Sequence, residues 1–389
     1  MKTTKSLFIA LASLSLFACS QEEINNGQVA VEGNAALTIK IDTESLSRAV
    51  GDATVDGTKK ISLSNLVVRF VGSSESPTYK IDSPQGTVTI YNIPEGTTGV
   101  AIVGNTEATG TDGDNNSYND AFSSTSEAES NKDNPVSGAT VYGFSDNFVA
   151  DGTINGSGDG SDDTQGDANV AYAKYTVNVT VKPVAARLEV GQISFTAGKP
   201  SDFTKLTVTD AFLNGAYMSA TFSPTEYKIT PDGYSILTAS NITDGWSSYP
   251  LKDNFADNNV IYGEGNVPAF PANTKYIGYN FFVNASQESD NNDTGKSLPK
   301  FTLKLTPEYS GSVQGPSTLY AVIAKYKNSS NQYINSFVPG KVYKIESISL
   351  PEDVLTPDPS GNQTIAVVAT VSVQDWTLET TTGEWAGQN

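Results

Sequence analysis

Apolar and polar residues alternate with a period of two in short runs along most of this chain. Leu37-Thr-Ile-Lys-Ile-Asp42 sets the pattern: Leu37, Ile39 and Ile41 share one face, and Thr38, Lys40 and Asp42 share the other. Such alternation predicts a half-buried strand. Residues 61–70 read as one or two strands. Single strands are predicted at 87–91, 100–103, 175–181, 187–190, 206–209, 276–283, 301–305, 319–326 and 342–348. Gly, Pro, Asn and Asp punctuate them, and no segment holds a helical stripe beyond a few turns. The fold class expected is all-β, with two β-sandwich domains in tandem. The junction falls near residue 185, just after Pro183.

The chain ends on a further strand. Ile365, Val367, Ala369, Val371 and Val373 occupy its apolar face. The parity then shifts to Trp376 and Leu378, which predicts a bulge or bend in between. Two prolines and a glycine in Leu355–Asn362 predict an extended linker before it. A β-prone strand at a chain end is an aggregation hazard unless something pairs with it. By periodicity alone, strands 37–42 and 364–379 each complete the sheet of their own domain.

Two polar tracts interrupt the first half, Gly104–Asn134 and Asp151–Asp167. Their Asp and Gly content invites a calcium reading. The run from Asp112 fails the EF-hand pattern, because Ser117 replaces the turn glycine and Ser123 stands where the bidentate glutamate belongs. Flexible surface loops are the expectation for both tracts.

Composition narrows the chemistry. The chain has no histidine and one cysteine, Cys19. A Ser-His-Asp triad, a Cys-His pair, an imidazole metal site and an intrachain disulfide are all excluded. There is no P-loop, G-x-S-x-G elbow or G-x-G-x-x-G turn. Only carboxylate-pair hydrolysis stays formally open. The expectation is a protein that is not an enzyme and needs no cofactor or metal. A net charge of −19 repels phosphate backbones, so no nucleic-acid partner is expected.

The N-terminus predicts the compartment. Met1–Lys5 is basic, and Leu7–Ala18 is apolar but too short to cross a bilayer. Residues 1–18 read as a signal peptide. Leu16-Phe-Ala-Cys19 resembles a bacterial lipobox, which makes Cys19 the expected lipidation site and the outer membrane the expected address. Further on, Arg48-Ala49 in a small, polar setting suits a trypsin-like, arginine-specific protease.

Taken in order, several short motifs resemble the Bacteroidales fimbrillins, the type V pilin family. They are Cys19-Ser-Gln-Glu-Glu23, Leu46-Ser-Arg-Ala49, Val181-Lys-Pro-Val-Ala-Ala-Arg-Leu-Glu-Val190, Phe212-Leu-Asn-Gly-Ala-Tyr217, Phe337-Val-Pro-Gly-Lys-Val-Tyr-Lys-Ile345 and Thr370-Val-Ser-Val-Gln-Asp-Trp376. The resemblance implies a polymerising subunit exported as a lipoprotein. Cleavage between Arg48 and Ala49 would release a propeptide, residues 19–48, whose strand carries Leu37, Ile39 and Ile41. The vacated groove in domain 49–185 would accept the donor strand of a neighbour's 186–389 domain. That strand carries Val367, Ala369, Val371, Val373, Trp376 and Leu378. Implied partners are other copies of the chain, anchor and tip subunits, the protease and an unnamed surface receptor. The resemblance thus implies a shaft subunit of a surface fimbria serving adhesion and biofilm formation. Alternatives are a tip or anchor subunit, or a monomeric lipid-anchored carbohydrate-binding protein using tyrosines such as Tyr217, Tyr262 and Tyr276.

Overall fold

A computed structural model describes residues 31, 34–43, 63, 65–74, 78–82, 86–105, 125–126, 139–223, 228–237, 249, 251–255, 259–271, 276–283, 298–359 and 367–375. The first part of the chain contributes β1 (Ala35–Thr43), β2 (Asn65–Val71), β3 (Thr78–Asp82), β4 (Thr87–Ile93) and β5 (Gly99–Gly104). It continues with β6 (Thr125–Ser126), β7 (Val141–Ser145), β8 (Val149–Asn155) and β9 (Ala171–Pro183). The second part gives β10 (Ala185–Thr196), β11 (Phe203–Asn214), β12 (Ala216–Ser223), β13 (Lys228–Ser235), β14 (Lys252–Asn254) and β15 (Val260–Tyr262). It ends with β16 (Ile277–Phe282), β17 (Lys300–Tyr309), β18 (Leu319–Lys327), β19 (Lys341–Pro351), β20 (Val367–Thr370) and β21 (Ser372–Asp375). A 3₁₀ turn at Glu352–Val354 is the sole helical piece among the described residues.

The strands form three sheets. The first runs β3-β2-β5-β7-β9-β1-β4, with β8 on a second stretch of β9. It is one hydrogen-bonded path, yet its two halves share a core. Leu37 and Ile39 of β1, Val177 and Val179 of β9, and Val68 and Phe70 of β2 are buried in one cluster. The path must therefore curl over its own inner face. It does so at β9, whose body pairs with β1 and whose last residues pair with β7. The second sheet, β13-β12-β16-β10-β19-β21, faces the third, β14-β11-β17-β18-β20. Leu188, Phe212, Phe281, Leu303 and Tyr326 pack in the core between them.

Apart from the two-residue β6, which pairs with β12 of the second sheet, sheet membership changes at Val184, between β9 and β10. The two halves are in contact. Val67, Ala101 and Val103 from the outward face of β2 and β5 pack with Val184, Ala220 and Phe282. Just beyond this seam, the Arg187 Nε donates to Glu189 Oε1 at 2.7 Å and Nη1 donates to Asn280 Oδ1 at 2.9 Å. Both charged side chains are fully buried. Burial pulls the guanidinium below its ordinary pKa, and the Glu189 carboxylate opposes that pull. Gly278 makes the arrangement fit, because a Cβ there would run into the guanidinium. Removing one partner of such a pair strands a buried charge, which is strongly destabilising.

Candidate functional site

The most unusual element is β1, because the first described strand lies inside a sheet. It runs parallel to β9 in nine register pairs, from Ala35↔Ala173 to Thr43↔Val181. On its other edge it runs antiparallel to β4. Strand β4 is terminal in the sheet order, so β1 is the strand that joins it to the rest. The inward residues Ala35, Leu37 and Ile39 have no exposed surface, and Ile41 keeps 8%. Burying each large aliphatic side chain contributes roughly 1.5–3 kcal/mol.

The outward face is graded. Ala36 is fully buried, Thr38 nearly so, and Lys40 is exposed. The cause is a local defect in β4. Ala35 pairs with Ile93, and Leu37 pairs with Ile90, so Tyr91 and Asn92 both stand opposite Ala36. This is a β-bulge. It lets Ile90 and Ile93 both enter the core while Tyr91 turns outward. Asn92 takes the left-handed conformation, φ 55°, which asparagine tolerates better than most residues. Tyr91 then meets Tyr172 of β9, edge to face at 5.0 Å, and Ala36 is enclosed with them. Farther along, the Thr38 and Thr89 hydroxyls form a hydrogen bond at 3.0 Å.

The loop from β8 to β9, residues 156–170, straps across this face. Tyr91 N–H donates to the Asp163 carbonyl at 2.6 Å, and Asn92 Nδ2 donates to Asp163 Oδ1 at 2.7 Å. Asp167 N–H donates to the Tyr172 hydroxyl at 3.0 Å. The strap thus touches both walls of the groove that β1 fills. Gly166 has φ 64°, and a Cβ there would lie 2.7 Å from the Tyr91 ring. This tract was expected to be a flexible loop with a competing calcium reading. It is instead shaped by three local turns, in which Asp159, Asp162 and Asp167 each accept the N–H two residues on. The carboxylates serve their own backbone. Two hydrogen bonds from Ser161 hold the Asp159 carboxyl below its usual range. The described residues hold no cluster of three or more metal-ligating side chains.

The C-terminal segment is built differently. Strand β20 pairs parallel to β18, and β21 pairs antiparallel to β19, each at the edge of its sheet. The chain crosses from the third sheet to the second at Val371, whose N–H donates to the Lys327 carbonyl. Ala369 and Val371 are buried, while Val368 is 42% exposed. The chain bends at Val371, whereas the break expected between Val373 and Trp376 reaches past Asp375, outside the described residues. Val367 and Val373 are placed by backbone pairing in β20 and β21. In this chain, the first and last described strands both complete sheets of their own chain, as periodicity alone predicts. Residues Leu37, Ile39 and Ile41 are brought together; Val367 to Val373 lie in other sheets. Cys19, Arg48, Ala49, Trp376 and Leu378 lie outside the described residues.

The tyrosines of the carbohydrate-binding alternative have separate local roles. Tyr217 packs on Tyr234 and Tyr262 on Phe195, whereas Tyr276 donates to Glu346 beneath the Lys344 ammonium. Sequence reading places Tyr91 only as the end of strand 87–91 and gives Asn92 and Tyr172 no role. The spaced Asp-x-Ser, Asp-x-Thr and Asp-x-Asn steps were the available signal for the strap.

Fold and groove together define an all-β protein of three sheets whose first sheet is completed from within by the N-terminal strand. Among solved structures, a proposed cell adhesion protein of Bacteroides eggerthii shares this fold, with a TM-score of 0.52 and 18% identity, covering 91% of this chain and 99% of that one. A fimbrilin of Porphyromonas gingivalis aligns with a TM-score of 0.48 and 14% identity, over 89% of this chain and 99% of that one. A proposed cell adhesion protein of Parabacteroides distasonis aligns at 0.46 and 13%, over 90% and 100%. No family model and no curated protein sequence matches the chain.

Proposed function

We propose that this chain is a non-enzymatic structural subunit of a surface fimbria, most simply of its shaft, that polymerises by strand exchange. The observation that carries the reading is the interior position of β1, between β4 and β9 and just ahead of Arg48-Ala49. A strand placed there is hydrogen-bonded on both edges, buried along its inward face and covered over the first part of its outward face. While tethered, it also competes at an effective concentration of order millimolar. A strand from another subunit loses that contest.

Cutting at Arg48 changes the terms. The plug becomes a separate peptide and, once released, is diluted away. The groove between β4 and β9 then offers two unpaired edges to an incoming strand. In this reading the lipid on Cys19 brings the subunit to the outer membrane and is discarded with the plug. Loss of residues 1–48, with four basic and five acidic residues, leaves a net charge of −18, so the switch is topological and not electrostatic. The donor is the C-terminal segment of the neighbouring copy, and adhesion and biofilm formation follow from the fibre. Anchor and tip subunits are the further partners expected.

The test uses the protein beginning at Ser20, treated with a trypsin-like protease and run on a denaturing gel without boiling. A ladder of polymers is expected, and deleting residues 364–389 should abolish it. A stable monomer trimmed at Arg48 would overturn the proposal.

A further inference from the structure

The outward face of the groove discriminates between side chains at one position. Ala36 sits fully buried against Tyr91, Tyr172 and the flanking Ile154 and Val170. Those rings cannot separate freely. Tyr91 is held by its backbone bond to Asp163, Asn92 by its side-chain bond to the same residue, and Tyr172 by Asp167. None of these bonds involves β1. The next outward positions relax, to a nearly buried Thr38 and then an exposed Lys40. The site is closed at one end and open at the other.

We propose, building on the strand-exchange reading above, that this closed position is a register gauge for the strand taken from a second copy of the chain. The donor seats with Ala366 in the place of Ala36. Its residues Ile365, Val367, Ala369 and Val371 then fall where Ala35, Leu37, Ile39 and Ile41 stood. Outward, Val368 replaces Thr38 and Thr370 replaces Lys40. A slip of two residues puts Thr364 or Val368 under the rings, each bulkier than alanine. A slip of one residue turns the apolar face outward. Reversing the strand about Ala366 sends Gln363 and Gly361 into the places of Ile39 and Ile41. One register and one direction satisfy both the small outward site and the apolar inward row.

The register can be read by cross-linking, because the natural cysteine, Cys19, lies on the discarded side of Arg48. Asn178 is exposed on β9 and is the register partner of Lys40. Asn178→Cys is combined in turn with Val368→Cys, Thr370→Cys or Ser372→Cys. Neighbouring strands bring Cα atoms within disulfide range at the directly paired position. After protease treatment and boiling without reductant, the Thr370→Cys pair should retain the ladder, with at least tenfold less for the other two. A dominant cross-link through residue 368 or 372 overturns the gauge and leaves strand exchange standing. A wild-type chain that forms no ladder removes the exchange reading itself. A second measurement avoids the cysteines. Ala366→Leu should cut polymer yield at least tenfold, whereas Ala366→Gly and Val368→Leu should keep it. The Ala366→Leu subunit should still accept a wild-type donor and so shorten mixed ladders. Undiminished polymer from Ala366→Leu alone also overturns the gauge.

Discussion

The first and the last described strands are held in opposite ways. At the N-terminus, β1 is one unbroken strand inside a sheet, paired along both edges. At the C-terminus, the segment is split into β20 and β21, each four residues long and each on the outer edge of a different sheet. The inward row of β1 is Ala35, Leu37, Ile39 and Ile41, whereas the side chains seen buried in the C-terminal segment are Ala369 and Val371. An interior strand with large side chains stays until something forces it out. An edge segment is hydrogen-bonded on one side only, and here it covers the core between the second and third sheets with Ala369 and Val371. On the strand-exchange proposal, the same contrast accounts for a cut at one end and none at the other.

The largest expected difference comes from trimming one buried side chain at each end. Ile39→Ala removes a fully buried aliphatic group from the first core and should lower the stability of the uncleaved protein by about 2–5 kcal/mol. Ala369→Gly removes one methyl from an edge strand and should cost about 0.5–1 kcal/mol. Urea unfolding of the two variants beside wild type measures both. Equal losses would mean that the two strands are equally anchored, and the comparison would fail.

Alkali should act on the C-terminal seat. Tyr343 lies on β19, opposite Val373 of β21, and is 2% exposed. Burial pushes its hydroxyl up to about 12, although the Val338 N–H donating to it favours the ionised form. A phenol raised in the folded state binds its proton more tightly there than in the unfolded chain. Its contribution is therefore complete below the ordinary value near 10 and is lost as pH climbs from 10 toward 12. The expected loss is roughly 2–3 kcal/mol for a shift of that size. Buried Tyr279 and Tyr326 in the same sandwich are shifted in the same direction. Tyr343→Phe should flatten part of the alkaline fall in unfolding midpoint. An unchanged alkaline limb would show that Tyr343 does not govern it.

Much of this contrast was legible in the sequence and part was not. The period-two row Leu37-Ile39-Ile41 predicted both the strand and its buried face, because side-chain alternation is local. Whether a strand is interior or on an edge is decided by partners far along the chain, and alternation is silent on that. The bulge at Tyr91–Asn92 was invisible for the same reason, since it exists only relative to Ala35 and Leu37. The strap was misread because Asp, Gly and Ser suit both a loose loop and a run of tight turns. Its order comes from bonds to β4 and from the Tyr91–Tyr172 contact, neither of which the tract itself encodes. At the C-terminus, the crossing at Val371 has no parity signal in the sequence, because it is set by the two sheets that the segment serves.

The smallest effect bears on the exchange itself. Thr38 shares a hydrogen bond with Thr89 across β1 and β4, and of the two only Thr89 is partly exposed. In the proposed register, a donor places Val368 there, so Thr38→Val gives the plug the donor's side chain at that one site. The substitution removes one hydrogen bond of modest net value, about 0.5–1.5 kcal/mol. Thr89 keeps some exposure, so its hydroxyl can turn to water and the cost belongs at the low end of that range. Unfolding of the uncleaved Thr38→Val protein measures it. A loss below about 1 kcal/mol means that the outward polar pair does not hold the plug, and that retention rests on Leu37, Ile39 and the backbone ladder. A loss well above that would make Thr38 a second lock on the plug, which a Val368 donor could not replace. The asymmetry between the two strands would then reside partly in one hydroxyl pair and not solely in core burial.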